Sequence, residues 1–358
     1  MDIFAEDINN IAAADFIPWK KLSGKTVLIT GATGLIGRTL VYGLHRANKI
    51  HGINVRVLAL VRDRARAEER FNEILSDGML TLVVGNVENM PVISESVDYI
   101  VHGASQTASR EFVNHPVETL QTTLNGTMNL LQLGKEKDDI KGFVYLSSME
   151  VYGYPEKGHK VKEDEIGRFE PQNMRNSYPI GKIVSENLCC SYAKEYGIPA
   201  MSIRLTQTFG AGVNYNDTRV FAYFARCVKE KTNIVLKTKG ETERCYLYTT
   251  DAATAILTVL LNGKAGEIYN AADESTYCSI AEMAEQVAKS AGIEVVYDIQ
   301  DTAANGFPDT LYMNLDTSKL QKLGWCPLGG GKKLIDMYRR MIDSFVESQI
   351  KDDISIDG

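Results

Sequence analysis

Thr30-Gly31-Ala32-Thr33-Gly34-Leu35-Ile36-Gly37 is the stretch whose reading decides the rest of the chain. Before it lies Thr26-Val27-Leu28-Ile29, an apolar run of strand length. After it, Arg38-Thr39-Leu40-Val41-Tyr42-Gly43-Leu44 spaces its apolar residues at helical intervals. Strand, glycine turn and helix in that order form a seat for a dinucleotide pyrophosphate. The first N–H groups of the helix have no partner within it and point at the anion. Gly31 suits the tight turn, Gly34 lets the main chain approach the phosphates, and Gly37 lets the helix lie close to the strand. Thr33, Leu35 and Ile36 share the turn and complete this set of candidate cofactor contacts.

The chain of 358 residues can hold one large or two modest domains. Apolar content of 44% and charged content of 24% are ordinary globular values. The net charge is −7, the sequence pI about 5.4, and no long basic run occurs, which argues against nucleic acid as a partner. No apolar stretch reaches membrane-spanning length, and MDIFAEDINN at the start lacks a signal-peptide pattern. A cytoplasmic protein without a membrane partner is expected. The six cysteines contain no C-x-x-C pair and the five histidines show no ligand spacing, so reduced thiols and no metal are expected.

Residues 1–24 read as an acidic helical prelude. Asn54–Val61 reads as a second strand, ending at Val61-Arg62-Asp63. An acid at that strand end usually binds the adenosine ribose of NAD, whereas an arginine pairs with the 2′-phosphate of NADP. Arg62 favours NADP slightly; Asp63 reaching the ribose suits NAD, and both cofactors stay open. Leu80–Val87 and Val97–Ser105 read as third and fourth strands. Strands alternating with helices at this spacing imply right-handed βαβ units and a parallel, doubly wound α/β sheet.

Gly142–Gly153 is an apolar strand that ends in hydroxyls, Ser147-Ser148, and continues as Met149-Glu150-Val151-Tyr152-Gly153. Ligands of open α/β sheets sit outside the carboxyl ends of strands. Further on, Tyr178 and Lys182 stand at i and i+4, on one helix face. An ammonium close to a phenol stabilises phenolate and lowers its pKa, so Tyr178 can take a proton from a substrate hydroxyl. Ser148 would hold the same oxygen.

The glycine turn, the S-S-x-x-V-Y-G strand end and Y-x-x-x-K in this order resemble the extended short-chain dehydrogenase/reductases that modify nucleotide sugars: epimerases, dehydratases and decarboxylases. The resemblance runs from about residue 25 to about 345. It implies a Rossmann-type sheet with a smaller C-terminal α+β substrate lobe. Residues 25–205 and 246–272 would bind NAD(P); residues 206–245 and 273–358 would bind the sugar nucleotide and end in a polar tail expected to fray. Asn86, where the family places Asp, and Val87 would lie near the adenine. Ala104 and Ser105 would pass under the cofactor, and Thr123 stands where the family has Asn. The resemblance also implies a nucleotide-diphosphate sugar as substrate and a homodimer built through two helices.

Gln207 replaces the Asn of the family's R-x-x-N-x-(Y/F)-G turn, and Arg219 and Arg244 are candidates for the substrate diphosphate. The residues after Ser148 divide the family. Met149 stands where dehydratases carry Asp, and a thioether donates no proton, so 4,6-dehydration is disfavoured. Glu150 stays available for a second proton transfer. Arg175, three residues before Tyr178, matches the UDP-glucuronate decarboxylase branch. The expected activity is an epimerase type acting through transient C4 oxidation, with three alternatives: UDP-uronic acid decarboxylation, NADPH-dependent ketosugar reduction, or non-catalytic NAD(P) binding.

Overall fold

The computed structural model describes residues 2–106, 109–137, 139–300, 309–328 and 333–345. The polar tail after residue 345 lies outside them. The chain opens with α1 (Ile3–Ala12), capped by Asp2, whose carboxylate accepts from the Phe4 N–H at 3.1 Å. Alternating elements follow: β1 (Thr26–Thr30), α2 (Leu35–His51), β2 (Arg56–Val61), α3 (Arg64–Phe71), β3 (Leu80–Val84) and β4 (Tyr99–His102). Next come α4 (Ser109–Asn114), α5 (Pro116–Glu136), β5 (Gly142–Ser148), β6 (Lys160–Val161), α6 (Ser177–Tyr196), β7 (Ala200–Leu205) and β8 (Gln207–Phe209). The last third holds α7 (Val220–Glu230), β9 (Ile234–Leu236), β10 (Glu243–Tyr248), α8 (Thr249–Asn262), β11 (Ile268–Ala271), β12 (Asp273–Ser279) and α9 (Ile280–Ala291). It closes with β13 (Val295–Tyr297), β14 (Tyr312–Leu315), α10 (Ser318–Gln321) and α11 (Leu334–Asp343).

Seven strands form a parallel sheet in the order β11-β7-β5-β4-β1-β2-β3. The order reverses between β1 and β4, the switch point where open α/β sheets bind ligands. Its central strands are buried along their length, β1 and β7 completely, which explains their continuous apolar runs. A second sheet runs β12-β10-β14-β6, with β8 paired to β10. β10 pairs with β8 through Tyr246↔Gln207 and with β12 through Arg244↔Cys278, so Gln207 and Arg244 share one sheet.

The opening helix α1 is part of this core. Ile8, Ile11 and Ala12 are buried against α2 and α8. Asp7, 2% exposed, takes the Tyr248 hydroxyl at 2.6 Å and the Arg340 guanidinium at 2.6 Å, joining β10 to α11.

Candidate functional site

Tight sterics build the glycine turn. Gly31 has φ +69°, and a Cβ there would sit 2.8 Å from the Gly103 backbone. At Gly37 a Cβ would fall 2.2 Å from the Gly31 carbonyl oxygen and 2.7 Å from Ala32 Cα, so helix and turn meet with no room for a side chain. Gly34 is the N-cap of α2, and no side chain caps that terminus, which leaves its N–H groups to an anion. Thr33, Leu35 and Ile36 are partly exposed there. These features fit a dinucleotide pyrophosphate. Beside the turn, the Ala104 N–H donates to Thr30 Oγ1 at 3.1 Å, and Thr30 Oγ1 also meets His102 Nδ1 at 2.8 Å. Ser105 bonds the neighbouring Gln106 carbonyl. His102 is buried, and burial together with the Lys182 charge pulls its pKa down to about 3, so it is neutral.

At the adenosine end the two candidates separate. The Asp63 carboxylate caps α3, accepting the Arg66 N–H at 3.0 Å. Arg62 is exposed beside it. Asn86 accepts the Asn89 N–H, and Val87 is buried against Gly126, where a Cβ would lie 2.6 Å from its side chain.

The candidate reacting groups lie at the carboxyl end of the sheet. β5 and β7 run in register with Ser147↔Arg204 and Ser148↔Leu205. Ser148 ends its strand by accepting the Glu150 N–H at 3.2 Å, which starts the 3-10 turn Met149–Tyr152. Tyr178 and Lys182 project from α6, 8% and 3% exposed. Lys182 donates to the Leu146 carbonyl at 2.7 Å, and its ammonium stands 5.5 Å from the centre of the Tyr178 ring. Tyr178 differs from expectation. Burial raises its pKa above the ordinary tyrosine value, the Glu150 charge adds to the rise, and Ser148, Arg175 and Arg219 oppose it. The closeness of Lys182 does not overcome that desolvation, and burial pulls the Lys182 ammonium itself down to about 7.

On the substrate side, Glu150 is paired: Arg175 Nη1 donates to its Oε2 at 2.8 Å. Met149 turns inward, 7% exposed, with its sulfur 3.3 Å from Thr206 Oγ1, whose proton goes to the Cys245 carbonyl at 2.6 Å. Arg244 donates to Gln207 Oε1 at 3.2 Å, while its Nε is buried without a hydrogen-bond partner among the described residues. Arg219 is held by Asp217 at the start of α7. Sequence reasoning missed Phe112, whose ring stacks on Tyr178 at 4.3 Å and 8°. It also missed Glu186, bonded to Arg204. The position of Glu186, four residues after Lys182, was the available signal for it; Phe112 offered none, because its contact is long-range. Among the described residues no group of three or more His, Cys, Asp or Glu could hold a metal ion. None of their helices is long and apolar enough to cross a membrane.

A sheet of this topology with a glycine cradle and a Ser–Tyr–Lys constellation defines a dinucleotide-dependent enzyme of the short-chain type. The chain belongs to the NAD dependent epimerase/dehydratase family, whose model matches residues 27–272. It is 28% identical over 332 residues to UDP-glucuronic acid decarboxylase 1 of Xenopus tropicalis, covering 91% of this chain and 75% of that protein. It is also 28% identical over 307 residues to a trifunctional UDP-glucose 4,6-dehydratase/UDP-4-keto-6-deoxy-D-glucose 3,5-epimerase/UDP-4-keto-L-rhamnose-reductase of Arabidopsis thaliana. That match covers 84% of this chain and 45% of the plant protein, so the chain spans about half its length. The fold is similar to that of UDP-N-acetylglucosamine 4-epimerase from Methanobrevibacter ruminantium, with a TM-score of 0.76, 21% identity and 90% and 99% of the two chains covered. UDP-glucose 4-epimerase from Thermotoga maritima gives a TM-score of 0.72 at 21% identity, covering 89% and 98%.

Proposed function

We propose that the protein epimerises a nucleotide-diphosphate sugar through transient oxidation at C4 with bound NAD(P). The observation that carries this reading is the joint placement of Ser148, Tyr178 and Lys182 beside the glycine cradle, at the carboxyl ends of β5 and β7. When bound, the nicotinamide supplies the hydride acceptor and donor. Tyr178 takes the proton from the C4 hydroxyl, Ser148 holds that oxygen, and Lys182 supplies positive charge below the phenol, to which the charge of a bound oxidised nicotinamide would add in opposing the desolvation of Tyr178. Arg244, with Gln207, meets the diphosphate. Glu150 is paired with Arg175, and Met149 is a thioether with no proton to give, so the site lacks the acid that a 4,6-dehydration needs.

Decarboxylation of a UDP-uronic acid is the second reading, favoured by Arg175 beside the site and by the likeness to the decarboxylase. We infer further that the protein works as a homodimer, since α5 and α6 leave Met128 and Val184 46% and 41% exposed. A monomer in sedimentation would overturn this.

The deciding experiment incubates purified protein with NAD or NADP and a panel of nucleotide sugars, read by mass spectrometry and NMR. An epimer of unchanged mass supports the first reading, and loss of carbon dioxide the second. No change in any sugar overturns both. Tyr178→Phe in the same assay separates catalysis from mere cofactor binding. It should keep the dinucleotide and lose about a hundredfold to ten-thousandfold in rate.

A further inference from the structure

Glu186 and Arg204 form the most buried ion pair among the described residues, each side chain 3% exposed. The guanidinium grips the carboxylate with both faces of its fork, Nε to Oε1 at 2.9 Å and Nη2 to Oε2 at 2.8 Å. Glu186 lies on α6 one turn beyond Lys182; Arg204 lies on β7 directly opposite Ser147. We propose that Glu186 and Arg204 are a positioning pair that fixes Lys182 against the strand end carrying Ser148. The inference rests on the reading of Lys182 as a functional residue.

Arg204 does more than close an ion pair. Its Nη1 donates to the Glu163 and Glu165 carbonyls at 3.1 and 3.2 Å. Its guanidinium carbon stands 4.7 Å from the centre of the Tyr152 ring, in the turn that carries Glu150. One side chain therefore ties the Tyr178–Lys182 helix, the 163–165 segment and the Glu150 turn to a single sheet strand. Apolar side chains of similar volume commonly replace a buried ion pair without loss of stability. What they cannot reproduce is this many-way geometry and a negative charge near Lys182.

The charges around Lys182 are few. Tyr178 and Glu186 face it along α6, and β5 offers the Tyr145 ring at 4.7 Å and the Leu146 carbonyl. β4 offers neutral His102, β7 offers Arg204, and α5 meets the helix with Thr123 and Thr127, which do not titrate. Burial lowers the Lys182 ammonium to about 7, and Glu186 is the charge that opposes the fall.

The test uses the full chain. Glu186→Met/Arg204→Met removes the pair without stranding a buried charge, and Glu186→Gln is the isosteric second variant. Competitive labelling with acetic anhydride across pH, mapped by mass spectrometry, reads the Lys182 amine directly. The expected result is an amine that titrates about one unit lower in Glu186→Gln, which leaves the Arg204 charge unpaired, and lower by less in the double variant, which removes both charges. In the sugar assay, kcat should fall about tenfold per unit of displacement at a pH above about 7, where the amine is already mostly neutral in the wild type, with KM within about twofold. A folded variant whose Lys182 titrates as in the wild type overturns the positioning role. If no sugar turns over in the wild type, the functional reading fails, while the labelling still decides this inference.

Discussion

Arg175 Nη1 meets Glu150 Oε2 at 2.8 Å, joining the turn that follows Ser148 to the turn that leads into Tyr178. The two charges act on Tyr178 in opposite senses: Glu150 raises its pKa and Arg175 lowers it. Tyr178 serves as a base only when its phenol is deprotonated. Removing Arg175 therefore moves the acid limb of the kcat profile to higher pH, and removing Glu150 moves it to lower pH. Arg175→Met and Glu150→Gln should shift that limb in opposite directions, with roughly a tenfold rate change per unit of displacement below it. Limbs that move together would show that the pair does not tune the tyrosine.

The pH dependence of stability should carry the signature of His102. This side chain is buried and neutral, with its pKa pulled from the usual 6.5 to about 3. Between those values the unfolded state binds a proton that the folded state refuses. Stability is therefore full above about pH 6.5 and falls by about 1.4 kcal/mol per unit as pH drops toward 3. His102→Asn keeps a polar partner for Thr30 and cannot titrate. Urea unfolding at pH 7 and pH 5 should show a smaller difference for the variant than for the wild type.

Much of this was legible in the sequence because it depends on local spacing. The glycine turn, the buried parallel strands and the Tyr178/Lys182 pair follow from periodicity and from groups a few residues apart. The ends of β2 to β4 fell short of the expected runs: Asn54 is exposed at φ +54°, Val87 packs against Gly126, and Ala104 turns its N–H to Thr30. What sequence spacing does not carry is partnership across the fold. Asp63 stood beside Arg62 as one of two candidates for the adenosine end, and one of its carboxylate oxygens also caps the first turn of α3. Met149 read as a substrate contact, and what spacing could not show is its burial with the sulfur against Thr206. Tyr178 read as a phenol lowered by Lys182, yet desolvation from long-range packing, Phe112 included, wins.

The glycine cradle gives a steric prediction. Gly37→Ala would place its Cβ on the Gly31 carbonyl and Ala32 Cα, both backbone atoms that cannot swing away. The turn must open, which costs about 1–3 kcal/mol of stability as an overpacking change. It also displaces the N–H groups meant for the pyrophosphate. Thermal unfolding should fall by several degrees and dinucleotide affinity by more than tenfold, both measured on the same preparation. Gly52→Ala supplies the control, because a Cβ there meets nothing within 4 Å, although its φ of +62° adds mild strain. Its stability should fall less, and its affinity should not change.

The last prediction concerns which dinucleotide the cradle holds. Val61 is buried at the strand end where an acid would bind both ribose hydroxyls, and Asp63 gives one carboxylate oxygen to the α3 cap. Arg62 is exposed at that end, and Arg66 follows on the first turn of α3. Arginines near a helix N-terminus are electrostatically disfavoured, and a phosphate beside them would offset that cost. Isothermal titration should therefore show NADP binding more tightly than NAD, and 2′,5′-ADP more tightly than 5′-AMP. Arg62→Ala should weaken NADP about tenfold and leave NAD nearly unchanged, as expected for loss of a charge-assisted pair to the 2′-phosphate. Equal affinities for the two dinucleotides would assign Arg62 to the solvated surface and return the site to NAD.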